Sequence, residues 1–155
     1  MAKLTIGNCA EYVSQLKNLE FSAPDCIKKA VYPAAGLVVK AVDHAIDTLP
    51  EVSHPGDGVT PLQKKGLHDG LGIADFKNDS GYINVKIGFD GYNDLKTKKH
   101  PHGQANAMIA RAMESGTSYS RKHPFVSTAT RGAKAEAEDI LEKTLNEEIA
   151  KIMEV

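Results

Sequence analysis

Between Ile27 and Leu49 the chain carries an apolar stripe at helical spacing that only a long element can present. Ile27, Val31, Ala34, Val38, Ala41 and Ala45 recur at alternating steps of four and three, and Val42, Ile46 and Leu49 widen the same face. The spacing predicts an amphipathic helix that starts at Ser22-Ala23-Pro24-Asp25 and ends at Pro50. Ser22 would cap it, Pro24 would sit in the first turn where a missing N–H costs nothing, and Asp25 would face the positive end of the dipole. Pro33 falls inside the pattern, where it removes a backbone hydrogen bond and favours a bend. Ala30, Ala34, Ala35, Gly36, Ala41 and Ala45 make the face shallow, which suits close approach of another element better than bulky core filling.

Other periodicities fall to either side. Tyr12, Val13 and Leu16 give Cys9 to Asn18 the pattern of a short, separate helix. From Glu51 to about Gly72 no period survives among turn formers such as Ser53-His54-Pro55-Gly56-Asp57-Gly58 and Thr60-Pro61, so residues 51–70 read as a long polar loop. Ile83, Val85, Ile87 and Phe89 alternate with Tyr82, Asn84, Lys86 and Gly88, a half-buried strand. Leu71 to Phe76 is its expected partner, and Lys77-Asn78-Asp79-Ser80-Gly81 has the chemistry of a hairpin loop. A second polar loop covers 90–104. A helix containing Ala107, Met108, Ala110, Ala112 and Met113 follows, with Gly116 in the position just past its end. The last helix spans 125–153, with Ala133, Ala137, Ile140, Leu141, Thr144, Leu145, Ile149 and Ile152 inside and Asp139–Lys143 and Glu147–Lys151 as outer pairs. The expected fold class is α+β: long helices packed against a small antiparallel sheet, in one domain over residues 1–155.

Composition narrows the function. Nineteen basic and 20 acidic side chains leave a net charge of −1, no global field to draw the chain onto nucleic acid or anionic lipid. No apolar run approaches the roughly 20 residues that span a bilayer, and Met1-Ala2-Lys3-Leu4-Thr5-Ile6 lacks a signal-peptide core. Two cysteines, Cys9 and Cys26, make neither a disulfide framework nor a metal spacing and point to a reducing compartment. The near-zero total hides a polarity. Lys86 to Lys122 holds seven Lys or Arg against three acids, a local +4, and from Arg131 onward four bases face seven acids, a local −3. Lys96, Lys98 and Lys99 concentrate the positive charge in the second loop. Such a split suits head-to-tail contact between copies.

The chemistry-bearing residues form no complete catalytic set. His100, His102 and His123 sit in two loops without HExxH or Cys-rich spacing, so surface histidines beside lysines explain them better than a zinc site. Asp90-Gly91-Tyr92-Asn93-Asp94 has Pro101 where a calcium loop would close with glutamate. Gly66-Leu67-His68-Asp69-Gly70-Leu71-Gly72 precedes a strand, whereas a phosphate cradle follows one. Thr117, Ser118 and Ser120 lie near His123, and both cysteines lie near expected helix starts, but nothing supplies a third, orienting group. No catalytic residue, metal ligand or cofactor is expected.

Ala105-Asn106-Ala107-Met108-Ile109-Ala110-Arg111-Ala112-Met113-Glu114-Ser115-Gly116-Thr117-Ser118, followed by His123-Pro124-Phe125-Val126-Ser127-Thr128-Ala129, resembles the neck or tail-completion proteins of long-tailed bacteriophages, the group related to minor tail protein Z. That family typically ends a helix in Glu-(aromatic)-Gly-Thr, crosses a short loop to Pro-Phe-(aliphatic)-x-x-Ala, and enters a long C-terminal helix. Glu114, Gly116, Thr117, Pro124, Phe125 and Ala129 stand at matching positions, with Ser115 where an aromatic is usual. Lys65 to Leu71 is a looser counterpart of the family's upstream block and lacks its Thr and Ser. The resemblance implies a non-enzymatic virion protein, assembled in the host cytoplasm into a homo-oligomeric, hexameric ring. The ring would join the head connector to the tail terminator and tube, and DNA would pass through it without specific binding. Read physically, the same block is a fold-defining corner: Gly116 stops a helix, Thr117 and Ser118 bond freed backbone groups, and Pro124 stiffens the entry of Phe125. Two rival readings come from other classes: a metal-dependent hydrolase or nuclease using the histidine-bearing loops, and a small regulatory binding module that stays monomeric.

Overall fold

The computed structural model describes residues 9–54, 56–79 and 82–153. In it the two helical patterns at the start of the chain are one helix, α1 (Cys9–Asp47), 39 residues and roughly 58 Å long. The cap expected at Ser22 and the first-turn role of Pro24 therefore do not occur. Pro24 and Pro33 are both exposed, as are Glu20 and Lys29, whose carbonyls each proline leaves without an amide partner. On a water-facing side solvent takes over those lost bonds, so the helix continues through both prolines.

The segment read as loop 51–70 is half helix. Glu51 forms a parallel bridge to Val59, and Thr60 then opens α2 (Pro61–Gly70). The Thr60 N–H donates to Gln63 Oε1 at 2.9 Å and the Gln63 N–H donates to Thr60 Oγ1 at 3.3 Å, a reciprocal capping box with Pro61 at the first helical position. The buried residues of this helix are Gln63, Gly66 and Leu67. An added Cβ on Gly66 would lie 2.6 Å from both Asn106 Oδ1 and Asn93 Cβ, so α2 approaches its neighbours closely through glycine. Its packing face is polar and small, which is why no apolar period marks it.

The hairpin is present but broken in two. β1 (Leu71–Ile73) pairs antiparallel with β4 (Ile87–Phe89), and β2 (Lys77–Asp79) pairs with β3 (Tyr82–Asn84). Residues 77–79, expected in the hairpin loop, are strand. Between the two ladders Ala74, Asp75 and Phe76 oppose only Val85 and Lys86, an extra residue of β-bulge kind on the outgoing side. On the return side Ile83, Val85, Ile87 and Phe89 are half-buried and Lys86 and Gly88 are exposed, but Asn84, expected to face outward, is half-buried as well. The Phe76 N–H donates to the Tyr32 hydroxyl at 3.3 Å and Lys28 lies over the Phe76 ring at 6.0 Å, fastening the bulge to α1.

Residues 90–105 form a closed excursion. The Asn106 N–H donates to the Gly91 carbonyl, Tyr92 bridges Ala105, and the Asn93 N–H donates to the Gln104 carbonyl at 2.9 Å. Helix α3 (Asn106–Ser115) follows, and α4 (Phe125–Met153) closes the described chain. The architecture is α+β. The core is Val42, Ile46, Leu49, Val59, Leu67, Ile109, Ala110, Met113 and Phe125, drawn from the C-terminal end of α1, the segment that joins it to α2, the helices α2 and α3, and the start of α4. Beyond that core α1 and α4 run antiparallel as a two-helix shaft, with Cys26, Ala30, Ala34 and Ala133 buried between them. No helix of the described residues is long and apolar enough to cross a membrane.

Candidate functional site

The corner between α3 and α4 gathers most of the residues singled out in the sequence. Gly116 takes φ 75° and its N–H donates to the Ala112 carbonyl, so it ends α3 as its position requires. Two residues before it, Glu114 points across the corner. Its carboxylate accepts the Val126 N–H at 2.9 Å on Oε2 and the Ser127 N–H at 3.1 Å on Oε1. These are orphan donors of the first turn of α4, and an anion there also meets the positive end of that helix. Thr117 Oγ1 accepts from the Tyr119 and Ser120 N–H groups at 3.2 and 3.1 Å, closing the turn on itself. The His123 N–H reaches back to the Met113 carbonyl at 2.6 Å. Pro124 is exposed, and Phe125, 5% exposed, enters the core with its ring centroid 6.0 Å from that of Phe89. Ala129, one turn on, packs half-buried against the same cluster.

Asp57 fastens the 51–59 segment to this corner by accepting the Arg121 N–H at 2.7 Å, with His123 Nε2 3.9 Å from the same oxygen. Two of the hydroxyls considered as nucleophiles are thus engaged in holding backbone: Thr117 Oγ1 accepts twice, and Ser120 Oγ donates to the Arg121 carbonyl at 3.3 Å. Chemically the corner aims a helix.

The basic loop lies on another side of the same region. Buried Asn93 holds its base, accepting the Leu95 N–H at 3.0 Å and the Gln104 N–H at 3.4 Å on Oδ1. Thr97 and His100 exchange backbone bonds at its tip. Lys96, Lys98 and Lys99 are all exposed on it. Lys99 and His100 border a cleft of about 510 Å³ whose far wall includes Thr117, Tyr119 and Ser120, so the loop and the corner share one opening. Glu114 and Ala129 line other surfaces.

The histidines do not assemble. His102 is exposed, the His100 N–H is bound to Thr97, and His123 faces Asp57; among the described residues no three His, Cys, Asp or Glu side chains form a metal-sized group. Asp90 Oδ1 accepts its neighbour Gly91's N–H at 2.7 Å as a turn residue. Gly66 and Gly70 belong to α2, and Gly72 to β1. Cys26 is buried deep inside α1, since the helix start expected beside it does not exist. The Cys9 side chain lies outside the described residues.

Three linkages escape a sequence reading. His68 Nδ1 lies 2.7 Å from Asp43 Oδ1 and its Nε2 3.3 Å from Asp47 Oδ1, clipping α2 to one turn of α1. Gln63 Nε2 donates to Gln104 Oε1 at 2.6 Å, and Asn106 Nδ2 donates to the Asp90 carbonyl at 2.8 Å. Only the first half of one of these was legible: Thr60-x-x-Gln63 is a capping-box spacing. Comparison of the chain with protein-family models, curated proteins and solved structures finds no match.

Proposed function

We propose that this chain is a neck or tail-completion protein of a long-tailed phage: a non-enzymatic subunit that works in a ring of copies between head connector and tail, bounding the channel for DNA. What supports this reading is the α3–α4 corner. The residues that carry the resemblance, Glu114, Gly116, Thr117, Pro124, Phe125 and Ala129, serve one mechanical purpose, which is to fix where α4 leaves the core. A shaft so aimed, with Ile140, Leu141, Leu145, Ile149 and Ile152 only half-buried, suits a subunit whose helices meet further copies. Sedimentation and electron microscopy of the purified protein across concentration test it. Rings with an open centre are expected. A chain that stays monomeric throughout, and holds stoichiometric metal lost on changing His100, His102 and His123 to alanine, is instead the hydrolase.

A further inference from the structure

The shaft ends before α1 does. Lys29 meets Glu148, and the last described residue of α4, Met153, lies just over one turn beyond that pair. Residues 11–23 of α1 therefore extend past α4 as an arm of roughly 20 Å. On it Tyr12, Val13 and Leu16 are 56%, 44% and 43% exposed. By helical spacing Tyr12 and Leu16 continue the face on which Cys26 and Ala30 are buried, with Val13 beside them, so a seat that α4 fills lower down is open along the arm.

Elsewhere on the shaft an open, largely apolar groove of about 740 Å³ runs between α1 and α4. Val31, Ala34 and Val38 form one wall, and Val126, Ala137 and Leu141 mark the other, roughly 22 Å along α4. Alanines in both walls keep it shallow enough for a helix to approach. The arm cannot reach its own groove, because it is the helical continuation of the element that builds one wall.

We propose that this groove receives the α1 arm of a second copy. Groove wall and arm match in length and apolar character. Lys134 and Glu138 border the groove, paired with each other at 3.6 Å and both well exposed. Laid antiparallel to α4, the arm brings Lys17 to Glu138 and Glu20 to Lys134 and Arg131, which extends that pair into a network across the contact. One copy offers its arm and the next its groove, a heterologous contact of the kind that closes into rings. The inference rests on the self-assembly proposed above and specifies its interface.

Disulfide trapping between two variants tests it: Leu16→Cys and Leu141→Cys, each with Cys9→Ser and Cys26→Ala. On mixing and oxidation they should give a covalent species of about 33 kDa, twice the 16.7 kDa chain, that neither gives alone. Cross-linking of Leu16→Cys with itself overturns the proposal in favour of paired arms. Association in sedimentation without the mixed disulfide overturns the docking and leaves self-assembly standing, whereas a monomer at every concentration removes both. In the otherwise native chain, Lys17→Glu should weaken association about tenfold and Lys17→Glu with Glu138→Lys should restore it. A loss that the second change does not recover also overturns the docking.

Discussion

Glu114 and Phe125 divide the work at the corner: the carboxylate satisfies the first amides of α4, and the ring anchors the helix in the core. Glu114→Ala leaves two backbone donors without their partner and should cost about 1–2 kcal/mol in denaturant melts, with the core intact. Phe125→Ala removes a buried ring that packs against Phe89 and should cost about 3–5 kcal/mol. A near-zero change in the second melt removes Phe125 as an anchor. Phe125 was legible because helix stops and turns are local chemistry, whereas Glu114 stood out only through the resemblance, since the amides it serves belong to the next helix. Asn93 and Asn106 were not legible. Each is 3% exposed, and beyond the local turn from Asn93 Oδ1 to the Leu95 N–H each serves backbone that the fold returns to it, the Gln104 N–H for Asn93 and the Asp90 carbonyl for Asn106.

At the scale of elements, the shaft is pinned by Glu148, which bonds Lys29 across the helix pair at 2.7 Å and Lys151 on its own helix. The pairing expected for Lys151, with Glu147, gives way to Glu148, whose carboxylate lies at the helix interface and accepts from both lysines at once. The hydrogen bonds from Lys151 and Lys29 hold the Glu148 carboxyl below its ordinary value of 4.5, and donating to Glu148 holds the Lys29 ammonium above 10.5. The pair's contribution is therefore whole between those values. It is lost as pH falls below 4.5 through the lowered carboxyl pKa, and again as pH rises above 10.5 through the raised ammonium pKa. Melting temperatures of the native chain and Glu148→Gln should differ near neutrality and converge in acid below the carboxylate range; a difference constant with pH would remove the ion pair as its cause. Helix α2 shows why an element can hide. Gln63, Gly66, Leu67 and Gly70 follow helical spacing, but the face meets asparagines at close range and so is built of glycine and glutamine. A search for apolar period passes over it.

Over the whole molecule, the charge split acquires geometry. Lys96, Lys98 and Lys99 project from a loop beside the core, while Glu136, Asp139 and Glu142 are exposed along the shaft, so opposite charges sit on separate parts of the molecule. A contact in which one molecule's loop meets another's shaft then brings unlike charges together. Lys98→Glu with Lys99→Glu should weaken association, more so at low salt, without changing the monomer's melting temperature. Size-exclusion profiles that match the native chain at every salt concentration would dismiss the basic loop as an interface.

The sequence by itself determined the α+β class, the end of α3 at Gly116, the entry of α4 at Phe125 and the alternating strand from Ile83 to Phe89, because side-chain period and backbone stereochemistry act within a few residues. Only folding settles that Pro24 stays helical, that a bulge divides the hairpin, and that Glu114 caps a helix it does not belong to. In each case the deciding partner is solvent access, a close backbone or an amide brought from elsewhere in the chain, and chain neighbours carry no record of what folding will place beside them.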